Sequence, residues 1–140
     1  MNNKKQSGFS LIELLLVIVI IGVLATITFP FLYSAKHAAE NGNAFASMRT
    51  IASSQVSFFS QNGRFARFDE LNTAQMNGLG NVTSNVLTRD KFAFTMTPGI
   101  PTDAQLRSGY SITATKAVTG SELPNVLSLT QTGQIVQVLP

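Results

Sequence analysis

The chain has 140 residues, 44% of them hydrophobic and 12% charged, with a formal net charge of +3. Soluble domains carry about 25% charged residues, so this composition is that of a membrane-linked chain, with the apolar excess at the N-terminus. Lys4 and Lys5 account for two of the ten basic side chains, leaving eight against seven acids after Gly8; that balance makes no case for nucleic-acid binding by bulk charge. Without a single cysteine, the chain has neither a disulfide framework nor a thiolate metal site.

Met1 to Gly8 is short, polar and basic, and an apolar run follows at once. A secretory signal would place small residues of an A-x-A kind after the apolar region, and Ala25-Thr26-Ile27 matches that poorly. Lys4 and Lys5 instead hold the N-terminus on the cytoplasmic side. From Phe9 to Phe29 there are 21 residues, close to the roughly 20 that a helix needs to cross a hydrocarbon core. Ser10, Thr26 and Thr28 can return their hydroxyls to helix carbonyls, but Glu13 has no such escape. A carboxylate at the bilayer centre costs on the order of 2.5 to 3.5 kcal/mol, and such residues are usually functional. If the leader were removed after Gly8, the new Phe9 amine would lie one helical turn from Glu13, and amine and carboxylate on axially shifted copies would neutralise one another.

Gly8-Phe9-Ser10-Leu11-Ile12-Glu13, followed by LLLVIVIIGVLATITFP, resembles the type IV prepilin N-terminus with its class III-type leader, shared by type IV pilins and the pseudopilins of type II secretion. The resemblance implies that a prepilin peptidase removes residues 1–8 by cutting after Gly8 and methylates the Phe9 amine. Glu13 would pair with Phe9 of a neighbouring subunit. Gly22 and Pro30 match the family's helix-loosening positions, and their chemistry agrees: an interior glycine costs a helix about 1 kcal/mol and a proline about 3. We expect the segment from Gly22 to Pro30 to unwind in an assembled fibre. The implied partners are copies of the same chain, joined through the N-terminal helix, with the prepilin peptidase and the inner-membrane assembly machinery. The implied location is the bacterial inner membrane as a single-span precursor, then an extracellular pilus, or a periplasmic pseudopilus.

Residues 31–60 continue as an amphipathic helix, with Ala38, Phe45, Met48, Ala52, Gln55 and Phe59 recurring at helical spacing beside Ala44, Ile51 and Phe58. This stripe reads as the seat of a sheet. Gly42 weakens the helix and could bend it, and Asn62-Gly63 supplies the stop. The long helix thus runs from about Phe9 to about Ser60, apolar in residues 9–30 and amphipathic beyond. His37 is the only histidine and has no second ligand type clustered with it in the sequence, so no metal, cofactor or catalytic site is expected.

Residues 61–140 form the globular head. Arg64, Phe65, Arg67 and Phe68 interleave basic and aromatic residues, the one local candidate for a DNA-binding or adhesive patch of a minor pilin; the alternative is a loop whose phenylalanines dock on the core. Asp69 reads as the N-cap of a short helix with Glu70 in its first turn, and Gly78-Leu79-Gly80 as its exit. Asn81 to Asp90 reads as a surface loop with at most one short strand, and Asn81-Val82-Thr83 is a formal glycosylation sequon. Alternation predicts strands over Phe92–Thr97, stopped by Pro98-Gly99, and over Tyr110–Thr115, and a hairpin of Val126–Thr130 with Gln134–Val138 around Gln131-Thr132-Gly133. The fold expected is α+β, a long helix packed against an antiparallel sheet of about four strands, which is also the pilin fold that the resemblance implies. Two departures from the family are a missing C-terminal disulfide and a C-terminus whose one acid beyond Asp103 is Glu122, too few for the calcium site of major pseudopilins.

Overall fold

A computed structural model describes residues 8–116 and 125–139. The chain divides into two compact units, Met1–Ala39 and Glu40–Pro140. Helix α1, Leu11–Asn62, runs through both without interruption, including Pro30. Its start and end lie within two residues of the limits expected from the sequence, and no break occurs at Gly22 or Gly42. Gly63, with φ of +67°, ends it, its amide donating to the Phe59 carbonyl at 2.8 Å in the left-handed conformation that glycine adopts without steric cost.

In the unit from Glu40 onward, α1 is followed by α2 (Phe68–Ala74), β1 (Asn81–Thr83), β2 (Val86–Arg89), β3 (Phe92–Met96), α3 (Asp103–Ser108), β4 (Ser111–Lys116), β5 (Val126–Thr130) and β6 (Ile135–Leu139). The strands form one antiparallel sheet in the order β1-β2-β3-β4-β5-β6, six where the sequence suggested about four. The two additional strands lie in Asn81–Asp90, which is a hairpin rather than a surface loop. Its two-residue turn is Ser84-Asn85, with φ of +50° and +59°, the geometry that matches strand twist. Neither residue is the glycine that usually marks such a turn, and Asn85 tolerates it because its side chain is bonded: Oδ1 accepts from the Phe68 amide at 2.7 Å and Nδ2 donates to the Gly99 carbonyl at 2.6 Å.

Register puts one row of side chains on the core face at Leu87, Phe94, Ala114, Leu127 and Gln137, and another at Met96, Ile112, Leu129 and Ile135. Opposite them α1 buries Ala44, Met48, Ile51 and Gln55, at alternating intervals of four and three that keep one stripe inward. Ala44, Ile51 and the partly buried Phe58 therefore belong to the stripe with Met48 and Gln55, whereas Phe45 and Ala52 flank it and Phe59 is exposed. Each fully buried aliphatic or aromatic side chain contributes about 1.5–3 kcal/mol, so this stripe holds sheet and helix together.

Helix α2 begins two residues earlier than expected: the N-cap is Arg67, not Asp69. The cause is Glu70, whose Oε2 accepts from the Arg67 amide at 3.0 Å, while Asn85 accepts from the next amide. Helix α3 is absent from the sequence reading. Its start is a capping box, Thr102 Oγ1 accepting from the Gln105 amide at 3.4 Å and Gln105 Oε1 from the Thr102 amide at 2.9 Å, and Leu106 is its buried anchor.

Candidate functional site

The first helical turns hold the residues to which the sequence assigns processing and assembly. Gly8 and Phe9 precede the helix and are exposed, Phe9 by 88%. Glu13 lies in the first turn, and its Oε2 accepts from the Ser10 amide at 3.1 Å. The first amides of a helix lack intrahelical partners and carry partial positive charge, so the carboxylate folds back toward them and toward Phe9. A cation at the Phe9 end would meet an acceptor already turned to that side.

Beyond Glu13 the helix is apolar around its full circumference. Every large hydrophobic side chain from Leu11 to Tyr33 is between 50% and 81% exposed. Helix α1 is long and apolar enough to cross a membrane, and its most apolar window is wholly unburied. The two threonines that interrupt it return their hydroxyls to the backbone, Thr26 Oγ1 to the Val23 carbonyl at 2.7 Å and Thr28 Oγ1 to the Ala25 carbonyl at 3.0 Å. Both lie in the turn that precedes Pro30, which deprives the Thr26 carbonyl of its donor. A Cβ added at Gly22 would meet nothing within 4 Å, so no packing inside this chain requires a glycine there.

Residues 3–29 match the family described as the prokaryotic N-terminal methylation motif. In this stretch the chain is similar to that family. It is also 35% identical over 66 residues to the type IV major pilin protein PilA of Myxococcus xanthus, an alignment that covers 47% of this chain and 30% of that pilin. The chain thus spans less than a third of the curated relative it matches. No solved structure matches. The long apolar helix followed by an antiparallel sheet is the α+β architecture of a pilin.

The four residues of the basic and aromatic candidate patch are brought together, but their charges are committed. Arg64 makes a forked pair with Glu70, Nη2 to Oε1 at 2.6 Å and Nη1 to Oε2 at 2.9 Å. Arg67 Nη2 reaches Asp103 Oδ1 at 2.6 Å and its Nε donates to the Pro101 carbonyl at 2.9 Å. The Arg64 guanidinium also lies 5.6 Å from the Phe58 ring centroid. Phe68 is fully buried, and Phe65 packs edge-on against Tyr110 with centroids 4.8 Å apart. Burial pushes the Tyr110 hydroxyl up to about 12. The Arg64 fork and the Arg67 amide hold Glu70 down to about 2, and the same pairing raises Arg64. Glu70 and Asp103 were not foreseen as partners, because Asp103 reaches the patch only through α3.

A second charged cluster, also unforeseen, lies where α1 meets the sheet's core face. Glu40 Oε1 is 2.6 Å from Lys91 Nζ and its Oε2 is 2.9 Å from Lys116 Nζ, the latter an ion contact rather than an aligned hydrogen bond. Lys91 and Lys116 together hold Glu40 down to about 2. Next to it Asn125 Nδ2 donates to Asn41 Oδ1. Lys116 occupies a core-facing position of β4 and is 5% exposed, a burial that a lysine tolerates when it is paired. His37 lies edge-on to Tyr33, with centroids 4.6 Å apart. Among the described residues no three of His, Cys, Asp or Glu come together as a metal site, and Glu122 lies outside those residues.

Proposed function

We propose that the chain is a structural subunit of a type IV pilus, inserted in the bacterial inner membrane as a prepilin, cut after Gly8, methylated on Phe9 and polymerised through its N-terminal helix into a surface filament. The observation that carries this reading is Glu13: a carboxylate in a membrane-length apolar helix, turned toward the end where the Phe9 amine is generated. The apolar helix has two favourable environments, lipid and the helices of other copies. Lipid is as apolar as the helix, so burial alone gives little preference. Pairing Glu13 with a neighbour's Phe9 amine removes the cost of an unpaired charge and favours the assembled state.

Gly22 supports the same reading. Its helix cost of about 1 kcal/mol has no return in the isolated chain, so its use belongs to the assembled one, where the segment to Pro30 gives up its helix. The pilus is favoured over the secretion pseudopilus by the likeness to a major pilin. In this role the chain works by self-association and carries out no catalysis.

Replacing Glu13 by Ala should leave membrane insertion and removal of the leader intact while surface filaments disappear. Normal filaments from that variant would reject the proposed pairing. Replacing Gly8 should leave the full-length precursor in the membrane, uncut.

A further inference from the structure

Three Asn-Gly pairs occur in the chain, Asn41-Gly42, Asn62-Gly63 and Asn77-Gly78, and the fold treats them differently. Asn-Gly is the dipeptide in which the following backbone nitrogen reaches the asparagine side-chain carbon most freely, since no Cβ stands in the way. Asn41-Gly42 is inside α1, and the Asn41 side chain accepts from Asn125. Asn62-Gly63 closes α1, with the Gly63 amide on the Phe59 carbonyl at 2.8 Å and Asn62 Nδ2 on the Phe58 carbonyl at 3.1 Å.

Asn77-Gly78 lies in the exposed loop between α2 and β1, and among the described residues the Asn77 side chain has no hydrogen bond. Asn77 already has left-handed backbone geometry, with φ of +60°, and the Gly78 amide is held by one turn bond to the Gln75 carbonyl at 3.0 Å. The loop is anchored around this pair by one buried residue. Asn72 accepts at its backbone carbonyl from the Asn77 amide at 2.7 Å, at Oδ1 from the Leu79 amide at 3.1 Å, and donates from Nδ2 to the Gly80 carbonyl at 3.2 Å. Opening the one bond of Gly78 therefore frees the reacting groups and leaves the sheet and α2 in place.

We propose that Asn77 is a site of spontaneous self-modification in the folded protein. The Gly78 nitrogen, having lost its proton to water or hydroxide, attacks Asn77 Cγ. The new C–N bond closes a five-membered succinimide as the Cγ–Nδ2 bond breaks and ammonia leaves. Water then opens either carbonyl of the ring, giving aspartate or isoaspartate, and the released ammonia takes up the acid's proton, so the sum is asparagine plus water to a carboxylate plus ammonium. The product adds one negative charge to the loop, and isoaspartate also adds one methylene to its backbone, which a loop fixed at both ends by Asn72 absorbs without loss of register in β1.

The test is to incubate the full chain in detergent micelles at mildly alkaline pH and physiological temperature, follow intact mass, and locate the change by peptide mapping. The expected result is a gain of one dalton per chain, mapped to residue 77, with isoaspartate detected by isoaspartyl methyltransferase labelling. Asn77→Gln should abolish the early gain while circular dichroism stays that of the parent. A gain that appears first at Asn41 or Asn62, or that persists unchanged in Asn77→Gln, overturns the proposal, as does an Asn77 that stays intact while a synthetic peptide of the loop converts.

Discussion

The Gln55 side chain forms a closed pair with the backbone of Ala66, Nε2 donating to its carbonyl and Oε1 accepting from its amide, both at 2.8 Å. Gln55 and Ala66 are both fully buried. One glutamine on α1 thereby supplies both hydrogen bonds that a backbone segment in the core would otherwise lack. Gln55→Leu keeps the volume and strands two buried backbone groups, each costing about 1–3 kcal/mol. The variant should lose about 2–4 kcal/mol, measured by denaturant unfolding of the full chain in micelles. A loss under about 0.5 kcal/mol would mean that water reaches the pair.

Phe68→Ala should cost about 3–5 kcal/mol, since the ring is fully buried in the residue that opens α2. Its neighbour in the sequence, Asp69, is exposed and caps nothing, so Asp69→Ala should fall within about 0.5 kcal/mol of the parent. Thermal unfolding of both variants separates the two positions, and equal losses would restore Asp69 as the cap.

Gly80 has φ of +152°, and a Cβ there would come 2.6 Å from the Thr88 carbonyl oxygen. That backbone oxygen cannot step aside without parting β1 from β2. Gly80→Ala should therefore cost more than the few tenths of a kcal/mol typical of surface changes, about 1–3 kcal/mol, and should raise amide exchange in β1 and β2 before β4 and β5. Exchange that rises uniformly would contradict a local cause.

Acid should weaken the head through Glu70 and Glu40. Both are held at about 2 in the folded chain, below the unfolded value of about 4.3. A lowered carboxylate adds stability above its unfolded pKa and gives it up as pH falls through the folded one. Stability should be level above about pH 5 and decline between about pH 4.5 and 2. Glu70→Gln should flatten part of that decline. A Glu70→Gln profile that superimposes on the parent would show that the Arg64 fork does not couple to folding.

The parts of the fold that were legible in the sequence are those where one physical signal dominates. Leu11 to Phe31 has nothing to be but an apolar helix, and Phe92–Met96 alternates cleanly because only one face of β3 is buried. The hairpin at Ser84-Asn85 was hidden because the Asn85 side chain is held by accepting from the Phe68 amide and donating to the Gly99 carbonyl, which sequence spacing does not reveal. Helix α3 did carry a readable signal, Thr102 followed three residues later by Gln105 after a proline, overlooked beside the stronger strand patterns. The ion pairs of Arg67 with Asp103 and of Glu40 with Lys91 join residues 36 and 51 positions apart. No local pattern announces them, so the N-terminal segment could be read from the sequence while the charge state of the Arg64–Phe68 patch could not.

In the sheet every strand has only its chain neighbours beside it. The head can therefore grow strand by strand as the polypeptide is delivered, each hairpin closing a short loop before the next arrives, with no stretch waiting for a distant partner. Such an order of addition keeps unpaired strand edges short-lived.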